Sequence, residues 1–237
     1  MTKNNFLPGE DLSQIEITPD FASKKRNYPL ISERIEKTIM NRKSFDRIAS
    51  LMGLLLAVIL VATGALLGWG HSFASSNVTS QLAEQKIMFP AAGSPGLNAL
   101  PAPDKAAMEQ YAGQQLTTGA QAKVFADHYI GVHVKGIAGG KTYEEVSGEW
   151  IAANAAAQAN PKDAALAAKA GMLAGQRTTL FMGETLRGLL GNAYAFWQLG
   201  QIAQVASYVS YAGAALFLIL ALMGFAHLRR VDEGAKI

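Results

Sequence analysis

Two long runs without charge constrain this chain more than any other feature of its sequence. The first covers residues 48–70, and nothing between residues 188 and 228 is formally charged either. At a rise of about 1.5 Å per residue, each run can cross a hydrocarbon core of about 30 Å. We therefore predict two transmembrane helices, at 48–70 and 205–228. The polar first half of the second run is expected to extend its helix out of the bilayer.

Composition narrows the classes of protein that fit. Only 16% of the residues are charged, against about a quarter in soluble domains. The chain has no cysteine, which excludes disulfides, thiol nucleophiles and cysteine-ligated metal or Fe–S sites. The formal charge of +3 is small and its excess lies near the apolar runs. We therefore do not expect a nucleic acid as partner.

Basic residues near the two spans predict the orientation. Eight Lys or Arg residues lie close by on the side of the two termini, but only Lys86 and Arg187 on the other side. The positive-inside rule then predicts a plasma-membrane protein with cytoplasmic termini and an extracytoplasmic segment 71–204. A cleaved signal peptide is the alternative. Its apolar core would be shorter and would follow a short basic start, whereas 47 residues precede this run.

The segments outside the hairpin carry few features. Residues 1–29 are polar with spaced prolines, which is typical of a disordered cytoplasmic tail. Residues 30–47 have isoleucine at every fourth position and predict a juxtamembrane amphipathic helix, and 229–237 form a short cytoplasmic tail. Five basic residues beside the spans either contact anionic lipid or are ordinary flanks of a membrane helix: Arg42, Lys43, Arg47, Arg229 and Arg230.

The segment between the spans is predicted to be helical, without a substantial sheet. Prolines and glycines at 90–103 predict a loop. Helical spacing is strongest over 118–137, and two glycines then end that helix. Thr142 and Glu145 form a capping box for a further helix. The pair Asn160-Pro161 resembles the start of a last, alanine-rich helix.

No arrangement of side chains predicts catalysis or a bound cofactor. His128 and His133 would diverge by about 140° around a helix, the wrong geometry for paired metal ligands. Glu144, Glu145 and Glu149 could supply an acid pair, but helix capping and amphipathicity already explain them. No P-loop, G-x-S-x-G, H-E-x-x-H or G-x-G-x-x-G motif occurs. We therefore expect a protein that is not an enzyme and holds no cofactor or metal.

Aromatic and small residues suggest two uses of the spans. The aromatic residues either anchor the helices at headgroup level or contact another membrane subunit: Trp69, Tyr194, Phe196, Trp197, Tyr208 and Tyr211. The small residues allow close approach of a partner helix or of the other span: Gly53, Gly64, Ala206, Ser210, Ala212, Gly213 and Ala214.

Two blocks carry a resemblance to a known family. One is the first span running into GWGHSFASSNVTSQLAEQKI; the other is KVFADHYIGVHVKGIAGGKTYEEV, followed by RTTLF and a second span ending in HLRR. Over roughly residues 45–230, the chain resembles a family of two-span membrane proteins of actinobacteria, often labelled automatically as aromatic ring-opening dioxygenases. The histidines do not supply the 2-His-1-carboxylate iron site that such chemistry needs. The resemblance implies instead an accessory subunit around the actinobacterial respiratory supercomplex of cytochrome bcc and aa3 oxidase.

Three functions stay open, in order of preference. The first is a non-catalytic accessory subunit of a larger membrane complex, with membrane lipids and other integral membrane subunits as partners. The second is a cell-envelope sensor or adaptor that binds a ligand or protein through its outer domain. The third is an enzyme of the outer face that uses Glu144, Glu145, Glu149 or His128.

Overall fold

The computed structural model describes residues 42–230, and every regular element within them is helical. No β-strand forms in this part of the chain, where Met88 and Gln115 make an isolated bridge. The predicted all-helical class is therefore confirmed for these residues. The predicted tail 1–29, the part of the predicted juxtamembrane helix at 30–41, and residues 231–237 of the C-terminal tail lie outside the described residues.

The elements follow one another in a simple order. They are α1 (Arg42–Glu84), α2 (Pro95–Asn98), α3 (Ala102–Glu109), α4 (Gly119–Phe125), a π-helical turn (Ala126–Ile130), α5 (Gly131–Ile137), α6 (Tyr143–Ala159) and α7 (Ala164–Leu228). With 43 residues, α1 is about 65 Å long, and α7, with 65 residues, is about 98 Å long. The predicted spans 48–70 and 205–228 lie inside these two much longer helices.

α1 and α7 form an antiparallel hairpin with a repeating seam. Gly53 lies against Ala221 at one end of the seam, and Ala74 lies against Gly200 towards the other. Buried positions recur every seven residues, the spacing that keeps one face of each helix towards its partner. These positions are Ser50, Ala57 and Gly64 on α1 and Gly200, Ser207, Ala214 and Ala221 on α7.

Small side chains let the two helix backbones approach closely. A Cβ atom placed on Gly64 would lie 2.9 Å from Cε1 of Tyr211, and one on Gly200 would lie 3.1 Å from Cβ of Ala74. At the other end of the seam, a Cβ on Gly224 would collide with the Ser50 side chain. The small-residue pattern is therefore used at least partly within the chain, where each span packs against the other.

The segment after α1 differs from its prediction as a loop. Its backbone folds back on itself, with Phe89 N–H donating to the Gln114 carbonyl and Leu116 N–H to the Ile87 carbonyl, both at 2.9 Å. Within 90–103, however, the chain forms α2 and the first residues of α3. The prediction erred because proline is compatible with the first turn of a helix, whose N–H groups have no intrahelical acceptor.

The helical region 118–137 is confirmed, with one interruption. Thr118 caps α4 through a capping box with Gln121, and helix α5 ends before Gly139 and Gly140, whose φ angles are 64° and 86°. The interruption is the π-helical turn between α4 and α5. Phe125 of α4 packs with residues from the last turns of α1, from the segment that follows α1 and from the middle of α7 to form one core: Val78, Leu82, Phe89, Leu97, Met108, Leu116, Phe125 and Leu190.

A second core joins α5, α6 and α7 beyond the end of α1. It contains Val134, Val146, Ala153, Leu173 and Leu180. The capping box of Thr142 and Glu145 at the start of α6 is confirmed. The predicted start at Asn160-Pro161 is wrong, because Asn160 ends α6 and Asp163 caps α7. The Asp163 carboxylate accepts hydrogen bonds from two backbone N–H groups, those of Ala165 at 2.9 Å and Leu166 at 3.1 Å. These N–H groups of the first turn have no acceptor within the helix, so the carboxylate stabilises this end of α7.

Candidate functional site

A band of exposed apolar side chains surrounds the hairpin. It extends along α1 from Phe45 to Phe73, about 42 Å, and along α7 from Leu199 to Met223, about 36 Å. In the most apolar stretch of 18 residues of α1, only 11% of the residues are buried within the chain, and in that of α7 only 17% are. A core helix of a soluble protein would bury most of such a window. Both helices are thus long and apolar enough to cross a membrane.

The five basic residues of the predicted lipid contact gather at one end of this band. Arg42, Lys43 and Arg47 lie in the first turns of α1, and Arg229 and Arg230 directly follow α7. All but the half-buried Lys43 are exposed. Because the helices are antiparallel, both groups lie at the same end of the hairpin, where they can face the same layer of headgroups.

The aromatic residues predicted as an interface divide into two groups. Trp69 is 65% exposed and stacks on Phe73, with ring centroids 5.6 Å apart, while Phe196 and Tyr208 also point outwards. The others have partners inside the chain. Trp197 covers Gly119, Tyr211 covers Gly64, and the Tyr194 ring lies 5.3 Å from the Lys123 ammonium group. Only the first group is fully available for lipid or for another subunit.

Exposed apolar side chains continue along α7 beyond the band. Phe181 and Met182, which we call the distal patch, are 56% and 52% exposed. Phe181 lies about 27 Å beyond Leu199, counted at 1.5 Å per residue. The polar headgroup region on each side of a bilayer adds only about 5–8 Å to the hydrocarbon core. A bilayer that covers the band therefore cannot also cover the distal patch.

A groove opens where α1 ends beside α7. Its volume is about 710 Å³, and its walls come from the last turns of α1, from α4 and the π-helical turn, and from residues 186–196 of α7. Phe73 and Phe196 stand at the end nearest the band, and Ile87 and Leu186 at the far end. The lining is mostly apolar, which is the usual character of a ligand site.

The residues considered for catalysis are distributed as follows. Glu145 is held by the capping box, and Glu149 pairs with Lys141. The Nδ1 atom of His128 lies 2.8 Å from Oδ1 of Asp104. Among residues 42–230, no three His, Asp or Glu side chains come together in a way that could hold a metal ion.

Helix capping and ion pairing shift two pKa values in this region. Hydrogen bonds from Thr142, first from its backbone N–H and then from its side chain, lower the pKa of Glu145. The hydrogen bond with Asp127, four residues away, raises the pKa of Lys123. Both side chains are exposed, so these shifts report local helix stabilisation and do not require a reactive site.

An arginine clamp joins α6 to α7. The Arg177 guanidinium lies 4.5 Å from the ring centroid of Trp150 and 5.7 Å from that of Tyr143. Its Nη2 donates to the Tyr143 hydroxyl at 3.4 Å. Arg177, and then a hydrogen bond with Ser147, lower the pKa of Tyr143. No local sequence pattern signals this cluster, because Arg177 is 34 residues away from Tyr143 in the chain.

Arg187 joins α7 to the π-helical turn, a contact between residues that are far apart in the sequence. It pairs with Glu184, three residues before it, at 2.9 Å, and its Nε also donates to the Ala126 carbonyl in the π-helical turn, at 3.3 Å. Gly131 makes room for it, since a Cβ there would lie 3.3 Å from Arg187 Nε. A glycine inside a helical pattern can signal such a close approach, and Gly131 was the available signal.

Comparisons with protein-family models, with curated proteins and with solved structures found no match to this chain.

Proposed function

We propose that the chain is a two-span membrane protein that serves as a non-catalytic accessory subunit of a larger membrane complex. The single observation that carries this proposal is the distal patch, Phe181 and Met182, which lies beyond the reach of the bilayer that would cover the band. The exposed side chains of Leu186 and Leu189 follow it on α7, and a contiguous exposed apolar surface outside the membrane is a mark of an interaction site. A protein partner that rises above the bilayer beside α7 would cover it.

The band and the basic end support the membrane placement. The apolar band matches a bilayer in length, and five basic residues at one end favour that end for the cytoplasmic side. The termini would then be cytoplasmic, the segment 71–204 would be extracytoplasmic, and the cationic end would contact anionic headgroups. Trp69, beside Phe73 at the opposite end of the band, suits the outer interface.

The resemblance to two-span proteins of actinobacteria indicates which complex to test first. It suggests the respiratory supercomplex of cytochrome bcc and aa3 oxidase as the partner. The distal patch requires a partner with an extracytoplasmic apolar surface and is not specific to that complex.

Co-purification from native membranes in mild detergent, followed by mass spectrometry, tests the proposal. We expect the chain to migrate with other integral membrane proteins, with the cytochrome subunits among them if the resemblance holds. The double variant Phe181→Glu/Met182→Glu should release it, whereas Gln110→Glu/Gln158→Glu, which adds the same charge at exposed polar positions outside α7, should not. Migration of the unaltered chain as a lone monomer would contradict the proposal.

The groove favours a second candidate function, the cell-envelope sensor or adaptor. Its volume of about 710 Å³ falls within the range of small-molecule sites. In this case the ligand would bind between the end of α1 and α7 and alter their packing. A ligand-dependent change in hydrogen exchange at α4 and the π-helical turn would support it, and unchanged exchange would count against it.

A further inference from the structure

Among the described residues 42–230, those that line the groove include no charged side chain. Leu186, Leu189 and Phe196 of α7 form one wall, and the buried residues Val78 and Leu82 of α1 lie at its base. Burying a charge in such a place would require an opposite charge or a hydrogen-bond network. An occupant must therefore be uncharged where it lies within the groove.

Amide side chains supply the polar part of the lining. Asn77 and Gln81 lie one turn apart on α1, and Gln85 lies in the turn directly after it; we call these three side chains the amide row. Asn192 lies on α7 across the groove. Amides donate and accept hydrogen bonds without a net charge. They suit an ester, amide or hydroxyl group next to a hydrocarbon chain.

The groove begins where the apolar band ends. Phe73 belongs to both, and its ring stacks on that of Trp69, which lies one turn further into the band. From Phe73 to Glu84, where α1 ends, the helical wall of the groove is about 17 Å long, comparable to the roughly 15 Å that one leaflet of the hydrocarbon core measures. A hydrocarbon chain could pass from the band into the groove without crossing water.

We propose that this groove binds the hydrocarbon chain of a membrane lipid, which enters past Phe73. The lipid's uncharged linkage faces the amide row of Asn77, Gln81 and Gln85. The chain lies against Leu186 and Leu189, outside the bilayer proper. This proposal depends on the membrane insertion proposed above, and it adds a lipid-binding function to the two-span anchor.

Photo-crosslinking of the full chain tests the site. The chain is reconstituted in phosphatidylcholine vesicles that contain phosphatidylcholine with a diazirine at the end of one acyl chain. After irradiation, adducts are mapped by mass spectrometry. The test variant is Leu186→Gln/Leu189→Gln, and the control is Ile151→Gln/Met172→Gln. All four side chains are exposed, so neither variant should unfold the chain, and the control residues lie outside the groove.

We expect adducts on both spans and, separately, at 77–87 and 186–193. The test variant should lower the groove adducts by about tenfold because it makes the apolar wall polar, and the control should leave them unchanged. Adducts confined to the spans would overturn the groove proposal and leave membrane insertion standing. An absence of adducts on the spans would overturn membrane insertion and the groove proposal with it.

A second measurement identifies a competing occupant. A Leu186→Cys variant has a single thiol, since the natural chain contains no cysteine. With lipid in the groove, an oxidant should not produce a disulfide-linked dimer. Efficient dimer formation would show that a second copy covers the groove, and it would overturn the lipid assignment.

Discussion

The Ser207 hydroxyl donates a hydrogen bond to the backbone carbonyl oxygen of Gly64, at 2.7 Å, and so ties α7 to α1 within the seam. The carbonyl is reachable because Gly64 has no side chain. The hydroxyl is buried in turn by the neighbouring helix. Inside a bilayer no water competes for either group, so the bond helps to fix the register of the two helices.

Ser207→Ala removes this bond while leaving the seam packed. We expect a loss of about 0.6–1.7 kcal/mol of hairpin stability, the range found for hydrogen bonds between membrane helices. Chemical unfolding in detergent micelles, followed by circular dichroism, measures it. Ser76→Ala, at an exposed position of the same helical hairpin, should change nothing. Equal stability of both variants would show that the bond does not hold the register.

Gly64→Val tests the close approach of the helices. Its Cβ would lie 2.9 Å from the Tyr211 ring, so we expect overpacking to cost about 1–3 kcal/mol. Gly70→Val is the matched control, because nothing lies within 4 Å of a Cβ there. Adding Tyr211→Ala to the Gly64 variant should recover part of the loss. If the two valine variants melt alike, the seam is looser than described.

Arg187→Gln tests the joint between α7 and the π-helical turn. The variant loses the hydrogen bond to the Ala126 carbonyl and the ion pair with Glu184. We expect a loss of about 1–2 kcal/mol, since hydrogen bonds to charged groups exceed neutral ones, together with faster hydrogen exchange at 126–131. Lys123→Gln removes an exposed ion pair with Asp127 and an exposed contact with the Tyr194 ring, and it should cost at most about 1 kcal/mol without faster exchange at 126–131. Unchanged exchange in the Arg187 variant would contradict this role.

The cap of α6 predicts a dependence on pH. The folded chain lowers the pKa of Glu145, so its stabilising contribution is complete above the unfolded value of about 4.3. The contribution disappears as pH falls through the lower, folded value. Glu145→Gln keeps an acceptor for the Thr142 N–H but does not titrate. The natural chain should melt at a higher temperature than this variant at pH 7, and the difference should vanish in acid. A difference that persists at pH 2 would contradict the assignment.

Local features of the fold were predictable from the sequence. The capping box at Thr142 and Glu145 and the glycines that end α5 act through neighbouring residues, so the sequence pattern contains them. Even so, the pair Asn160-Pro161 predicts a cap at Asn160, whereas Asp163 is the cap in the structure. Both are good cap residues, and only the turn formed by Pro161 and Lys162 decides between them.

Contacts between distant segments were not predictable. Trp197 and Tyr211 look like interface aromatics in the sequence, but each covers a glycine of another helix, Gly119 and Gly64. The seven-residue repeat of small residues is visible in the sequence only once the register of α1 against α7 is known. The groove and the distal patch depend on where α1 ends relative to α7, which no single segment specifies.

Thiol labelling of intact cells tests the membrane hairpin most directly, because the natural chain has no cysteine. We predict that Lys162→Cys reacts with a membrane-impermeant maleimide and that Ser44→Cys reacts only after permeabilisation. Val58→Cys should stay unlabelled in both conditions, although Val58 is 59% exposed in the chain, because lipid covers it. Labelling of Val58→Cys as readily as of Lys162→Cys, or of Ser44→Cys in intact cells, would contradict the account.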